Sequence, residues 1–168
     1  MVARLTLESV KLLYEKHGAA LAAYACSRGL DFASAEDMVH QVFVKLLEGR
    51  PSSSIELSSA YLFRAVRNAS LNLRRDRRRE AVLDADEIWF SHGSANCEEI
   101  LSVQSALCEL PEEQREAVFL KIWGGLTFEE IADATDTSLN TVASRYRYAL
   151  ERLSKVLEET ARDLHEKG

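Results

Sequence analysis

A chain of 168 residues, 46% hydrophobic, 29% charged and 8% aromatic, has the make-up of one or two globular domains. Two Pro and seven Gly exclude collagen-like and turn-rich β architectures. No stretch nears the roughly 18 apolar residues of a membrane span, and the net charge of −6 by itself speaks weakly against nucleic acid. The segment Met1 to Val10 lacks a basic start followed by an apolar core, so no secretory signal is expected. Cys26, Cys97 and Cys108 are odd in number, without a Cys-x-x-Cys pair. Neither a disulfide framework nor a zinc site is indicated, and a reducing, cytoplasmic setting is expected.

Apolar spacing predicts helices nearly throughout. The first runs from Leu5 to about Arg28 on Val10, Leu13, Tyr14, Leu21, Tyr24 and Ala25, with Gly29 as its stop. Ser34 to Asp37 reads as a capping box that opens a second helix on Met38, Val39, Val42, Phe43, Leu46 and Leu47, stopped by Gly49 and Pro51. Residues 50–56 form a Ser-rich loop. Ser58 or Ser59 caps a third helix carrying Tyr61, Leu62, Ala65, Val66, Ala69 and Leu73. Three such helices suffice for a small bundle. Residues 81–97 lose periodicity and read as an acidic linker, with Ile88, Trp89 and Phe90 as a short apolar patch.

The second half resumes with a helix over Glu98 to Glu109. Pro111 at a first helical position, followed by Glu112 and Glu113, starts the next. Ala117, Val118, Leu120, Lys121 and Ile122 continue it to Gly124-Gly125. Thr127 to Glu130 is a second capping box, for a short helix to about Thr135. After a turn at Asp136-Thr137, Ser138 caps a long helix with Val142, Tyr146, Ala149, Leu150, Leu153 and Leu157 as its buried stripe. Ile131, Ala132, Leu139 and Val142 sit where the two helices of a helix-turn-helix cross.

Charge is segregated. Residues 64–79 hold seven Arg against Asp76; residues 80–116 hold ten acids against Arg115; residues 138–155 hold three Arg and Lys155 against Glu151. The average therefore hides two basic surfaces, and Arg suits bidentate contact with phosphate or base edges. With Val142 and Tyr146 inward, Asn140, Thr141, Ser144, Arg145 and Tyr148 face outward, a set fit for a major groove. An αα-hairpin without DNA remains open at this point. The third helix interleaves Tyr61, Phe63, Arg64, Arg67, Asn68, Asn72, Arg74 and Arg75. Aromatics stack on unpaired bases, amides meet base edges and Arg holds backbone, although Tyr61 and Phe63 also suit a core. His17, His40, His92 and His165 lie in different segments, and no Gly-rich phosphate loop or metal-ligand cluster exists. Neither an enzyme nor a cofactor is expected.

Four segments in order, Ala33 to Leu47, Ala60 to Asn68 with the Arg cluster, Leu110 to Arg115, and Gly125 to Ala132 with Asn140 to Arg145, resemble extracytoplasmic-function (ECF) sigma factors. The resemblance implies an all-α chain. A three-helix region 2 domain (1–80) and a helix-turn-helix region 4 domain (98–168) are joined by the acidic linker (81–97). It implies core RNA polymerase and promoter DNA as partners, an anti-sigma factor as a further one, and no membrane. Asp37, Gln41 and Phe43 are implied to meet polymerase. Tyr61, Arg64, Arg67, Asn68, Asn72, Arg74, Arg75, Arg77 and Arg78 are implied to open and hold the −10 element as a single strand. Ser138, Asn140, Thr141, Ser144, Arg145, Arg147 and Tyr148 are implied to read the −35 element, and the linker to lie in the RNA-exit path. Asp136 stands where the family often has Gly, and tolerates left-handed backbone. Ala143, Tyr148 and Leu150 replace bases usual in the family, so weaker phosphate affinity is expected of the second domain. His40 is expected to be a solvent-exposed helix residue. A stand-alone helix-turn-helix regulator is the alternative reading.

Overall fold

The computed structural model describes residues 6–48, 58–80 and 105–166, apart from the side chains of 79, 80 and 164. Among them every regular element is helical, and the chain divides into two compact units, Met1–Trp89 and Phe90–Gly168. The expected loop at 50–56, the acidic linker with its apolar patch, and most of the helix expected from Glu98 lie outside the described residues.

In the first unit, α1 (Leu7–Ser27) starts on a capping box in which the Ser9 backbone N–H donates to Thr6 Oγ1 at 3.2 Å. Its end is a Schellman turn. The Gly29 N–H donates to the Cys26 carbonyl at 2.8 Å and the Leu30 N–H to the Ala25 carbonyl at 3.4 Å. Gly29 has φ +92°, which a Cβ would strain. Buried Leu30 then returns the chain to the core.

Helix α2 (Phe32–Glu48) starts earlier than the expected Ser34 box. Asp31 is the cap: its carboxylate accepts from the Ser34 N–H at 2.9 Å and from Ser34 Oγ at 2.6 Å. Ser34 is thus a donor to the cap, because Asp31 already offers two oxygens at the right spacing. Helix α3 (Ser59–Glu80) is capped by Ser58, whose Oγ accepts from the Tyr61 N–H at 3.3 Å.

The three helices pack on one another. Tyr24, Leu21, Phe63, Leu62, Val39 and Val66 are all but sealed from solvent, and the Tyr24 and Phe63 rings meet edge-on at 5.4 Å. Leu47, expected inside, is exposed because it follows buried Leu46 by about 100° around the helix.

In the second unit, residues 105–108 are helical. Pro111 is the N-cap of α4 (Glu112–Ile122), one position before the expected one, with extended backbone at ψ 145°. Helix α5 (Phe128–Thr135) has the expected capping box: the Glu130 N–H donates to Thr127 Oγ1 at 3.1 Å, and the Thr127 N–H to Glu130 Oε2 at 2.8 Å. Asp136 takes the left-handed conformation, φ 54° and ψ 47°, as its side chain allows. Helix α6 (Leu139–Glu166) follows, capped by Ser138.

Val118, Leu107, Leu110 and Ala149 form a buried cluster, with Tyr146 and Leu153 against it. Arg115 locks the segment before α4, its guanidinium donating to the carbonyls of Leu107, Cys108 and Leu110 at 2.9–3.0 Å. Three apolar residues expected inside are exposed: Leu139, Leu150 and Leu157. Leu139 precedes the crossing point, which Ile131, Ala132 and Val142 fill. Leu150 lies beside Ala149, on the flank of the packed stripe.

Candidate nucleic-acid and polymerase interface

The charge of helix α3 is sorted by face. At 100° per residue, Tyr61, Arg64, Asn68, Asn72, Arg75 and Arg78 fall within an arc of about 120°. Arg64, Asn68, Asn72, Arg75 and Arg78 are exposed and Tyr61 half-buried. Among the described residues no carboxylate pairs with Arg64, Arg75 or Arg78, whereas Lys11 and Glu15 pair on α1 at 3.9 Å. Arg67 and Arg74 flank the arc, half-buried and bonded.

Two residues of α3 lie off this arc. Phe63 is core, 1% exposed. Arg77 lies on the opposite side of α3, its Nη2 3.5 Å from Ser34 Oγ. It faces the start of α2 rather than the stripe, because its helical phase follows Val66, Ser70 and Leu73. Asp31 lies within its field. The hydrogen bonds from Ser34, and then the Arg77 charge, hold the Asp31 carboxyl below its ordinary range.

On α2, Asp37, His40, Gln41 and Val44 share an exposed face. Phe43 is buried on the other side, with its ring edge-on to Tyr14 at 5.2 Å. It supports the face from below. His40 is exposed, as expected, yet it is engaged: its Nε2 and the Tyr14 hydroxyl share a hydrogen bond of 2.7 Å, and the two rings stack at 5.3 Å. Buried Gly18 lies beside the Tyr14 ring, which a Cβ there would meet at an ordinary contact distance of 3.5 Å.

In the second unit the outward face of α6 is as expected. Asn140, Arg147 and Tyr148 are exposed; Thr141, Ser144 and Arg145 are half-buried. Val142 is buried, and Tyr146 meets Phe128 edge-on at 5.4 Å. Ser138 Oγ accepts from the Thr141 N–H at 3.1 Å and bonds the Thr141 hydroxyl at 2.8 Å, so both hydroxyls serve the cap. The Arg147 guanidinium covers the Tyr148 ring at 4.9 Å.

Sequence reading passed over two long-range contacts: Tyr14 with His40, and Arg28 with Ser70 at 3.0 Å. The second had a trace in the sequence, a serine on the otherwise apolar stripe of α3. Among the described residues no group of three or more His, Cys, Asp or Glu could hold a metal ion, and no helix is long and apolar enough to cross a membrane.

Two helical units, one with a basic and amide-bearing helix and one with a helix-turn-helix, define a sigma-70-type architecture. Residues 13–80 match the family model for Sigma-70 region 2, and residues 100–153 that for Sigma-70, region 4. The ECF RNA polymerase sigma factor EcfG of Rhodopseudomonas palustris is 31% identical over 146 residues, covering 82% of this chain and 78% of that protein. SigL of Mycobacterium tuberculosis, also an ECF sigma factor, is 26% identical over 158 residues, 89% of each. Among solved structures, RpoE of Bartonella quintana, in complex with the anti-sigma factor NepR, superposes with a TM-score of 0.70. It is 26% identical and covers 90% of this chain and 98% of its own. CnrH, in complex with the cytosolic domain of CnrY, gives 0.65 at 25% identity, covering 92% of this chain and 90% of its own. The chain belongs to the ECF RNA polymerase sigma factors. It is a transcription initiation factor that binds core RNA polymerase and promoter DNA.

Proposed function

We propose that the first unit carries both polymerase docking and −10 recognition, and the second carries −35 recognition. Asp37 and Gln41 on the outer face of α2 meet polymerase, with Phe43 setting that face from beneath. The α3 stripe then holds an opened strand: Arg64, Arg75 and Arg78 take its phosphates, Asn68 and Asn72 meet base edges, and Tyr61 offers part of a ring for stacking. Arg67 and Arg74 border the strand path. Arg77 serves this surface by anchoring the end of α3 to α2. Asn140, Thr141, Ser144, Arg145, Arg147 and Tyr148 enter the major groove of the −35 element, with Ser138 fixing the entry of α6. Domain limits of 1–80 and 98–168 with a linker at 81–97, action without catalysis, and residence in the cytoplasm complete the reading. By likeness to the Bartonella and CnrH complexes, an anti-sigma factor is its regulatory partner.

The observation that carries the reading is the α3 stripe. Cations and amides are aligned on one exposed face with no carboxylate of the described chain against Arg64, Arg75 or Arg78. Run-off transcription with core polymerase on a promoter library tests it. Promoter-dependent transcripts that Asn68→Ala reduces, with core binding intact, are expected. A chain that forms no stable complex with core at moderate salt would end the proposal.

A further inference from the structure

The end of α1 and the middle of α3 meet at a buried cation that DNA and polymerase contact leaves without a task. Arg28 is only 6% exposed and Ser70 fully buried. The Arg28 Nε–H donates to Ser70 Oγ at 3.0 Å, and the Ser70 hydroxyl donates to the Arg67 carbonyl at 2.8 Å. The guanidinium lies 5.8 Å from the centroid of the Tyr24 ring. Tyr24 in turn meets Phe63 of α3. One side chain at the end of α1 thus reaches α3 at Ser70 directly, at Arg67 through the hydroxyl, and at Phe63 through a ring.

Burying a guanidinium costs free energy unless it is bonded. Here the hydrogen bond, the ring face and the carbonyl end of α1 all favour the charge. Apolar packing alone would let α3 roll by small amounts about its axis. A directional bond between two buried groups removes that freedom.

The place of the bond along α3 gives it a function. Ser70 lies two residues after Asn68 and two before Asn72, about 200° around the helix from each. It is directly behind the two amides. A serine hydroxyl that takes a carbonyl from the preceding turn also tilts the local backbone. That carbonyl is Arg67's, adjoining Asn68.

We propose that Arg28 and Ser70 are positioning residues for strand recognition, fixing the roll of α3 so that Asn68 and Asn72 meet bases at a set angle. The inference rests on the reading of α3 as the −10 contact helix. It touches neither the outer face of α2 nor the second unit.

The test uses holoenzyme reconstituted from the full chain and core polymerase. Its probe is a single-stranded oligonucleotide spanning the −10 element of a promoter chosen by run-off transcription. Ser70→Ala removes the acceptor, and Arg28→Lys keeps the charge but removes the Nε–H. Both are expected to bind core as the parent does and to bind the strand about 3- to 10-fold more weakly, the scale of one hydrogen bond. In an Asn68→Ala background, Ser70→Ala is expected to add almost nothing, because its effect passes through that amide. Asn68→Ala weakening the strand while Ser70→Ala and Arg28→Lys do not overturns the inference and leaves the α3 reading standing. So does a full additive loss in the double variant, or loss of core binding in both single variants. No effect of Asn68→Ala removes the α3 reading, and the inference with it.

Discussion

Arg145 is half-buried on the outward side of α6, about two turns after the Ser138 cap and one turn after buried Val142. Arg145→Ala is expected to weaken −35-dependent transcription by about 1–3 kcal/mol if the guanidinium takes a base edge in two places. A loss equal across all −35 sequences would instead mark it as a phosphate contact. Asp31 shows how a single carboxylate orders two helices. Its pKa is depressed in the fold, so its contribution is present at neutral pH and fades as acid protonates it. Asp31→Ala is expected to lower stability by about 1 kcal/mol at pH 7. The gap from the parent should close as pH falls below about 4; denaturant titration at pH 7 and pH 3 measures both. Burial, then the nearby Asp31 and Glu36 charges, push the Cys26 thiol up. It should therefore resist alkylation in the native chain, whereas exposed Cys108 reacts. Mass mapping after brief thiol labelling reports the order.

At the scale of elements, helix starts and stops carry most of the specification. Gly29 permits the left-handed turn that ends α1, with open space around its Cα. Gly29→Ala therefore tests backbone strain alone, and a loss of about 1 kcal/mol is expected in thermal unfolding. Asp136→Gly runs the other way and should stabilise the helix-turn-helix slightly. Arg115 holds three carbonyls at once; Arg115→Ala should cost about 2 kcal/mol. These elements were legible because their signals are local. Thr127 and Glu130, Ser138, Gly29 and Asp136 act within four residues of themselves. Arg28 and Ser70 are 42 residues apart, and Tyr14 and His40 are 26 apart. Nothing in local spacing joins them. Burial failed at flanks for a related reason. Leu47 and Leu150 each adjoin a buried residue, and periodicity fixes the direction of a stripe better than its width. Arg77 lies on the other side of α3 from Arg75 and Arg78 because helical phase splits a run of Arg between two sides.

At the scale of the molecule, sign matters more than sum. The chain is acidic overall, and Arg64, Arg75 and Arg78 are gathered on the face of α3 where we propose that the opened strand lies. Replacing Arg64, Arg75 and Arg78 together by Ala is expected to reduce the slope of strand affinity against salt by about 2, near 0.7 per phosphate contact on a single strand. Anisotropy at several salt concentrations measures it, and an unchanged slope would place the strand elsewhere. The two-unit division was visible in the sequence through a break in periodicity and a reversal of charge.

The like charges of Arg64, Arg75 and Arg78 along α3 repel one another, so the folded first unit carries a tension that the denatured chain spreads out. A polyanion relieves it and binds the folded form, where the cations share one face, more tightly than the denatured chain. Heparin at low ionic strength should accordingly raise the melting temperature of the protein, and half-molar salt should abolish the gain. The promoter, in this light, is also a piece missing from the fold.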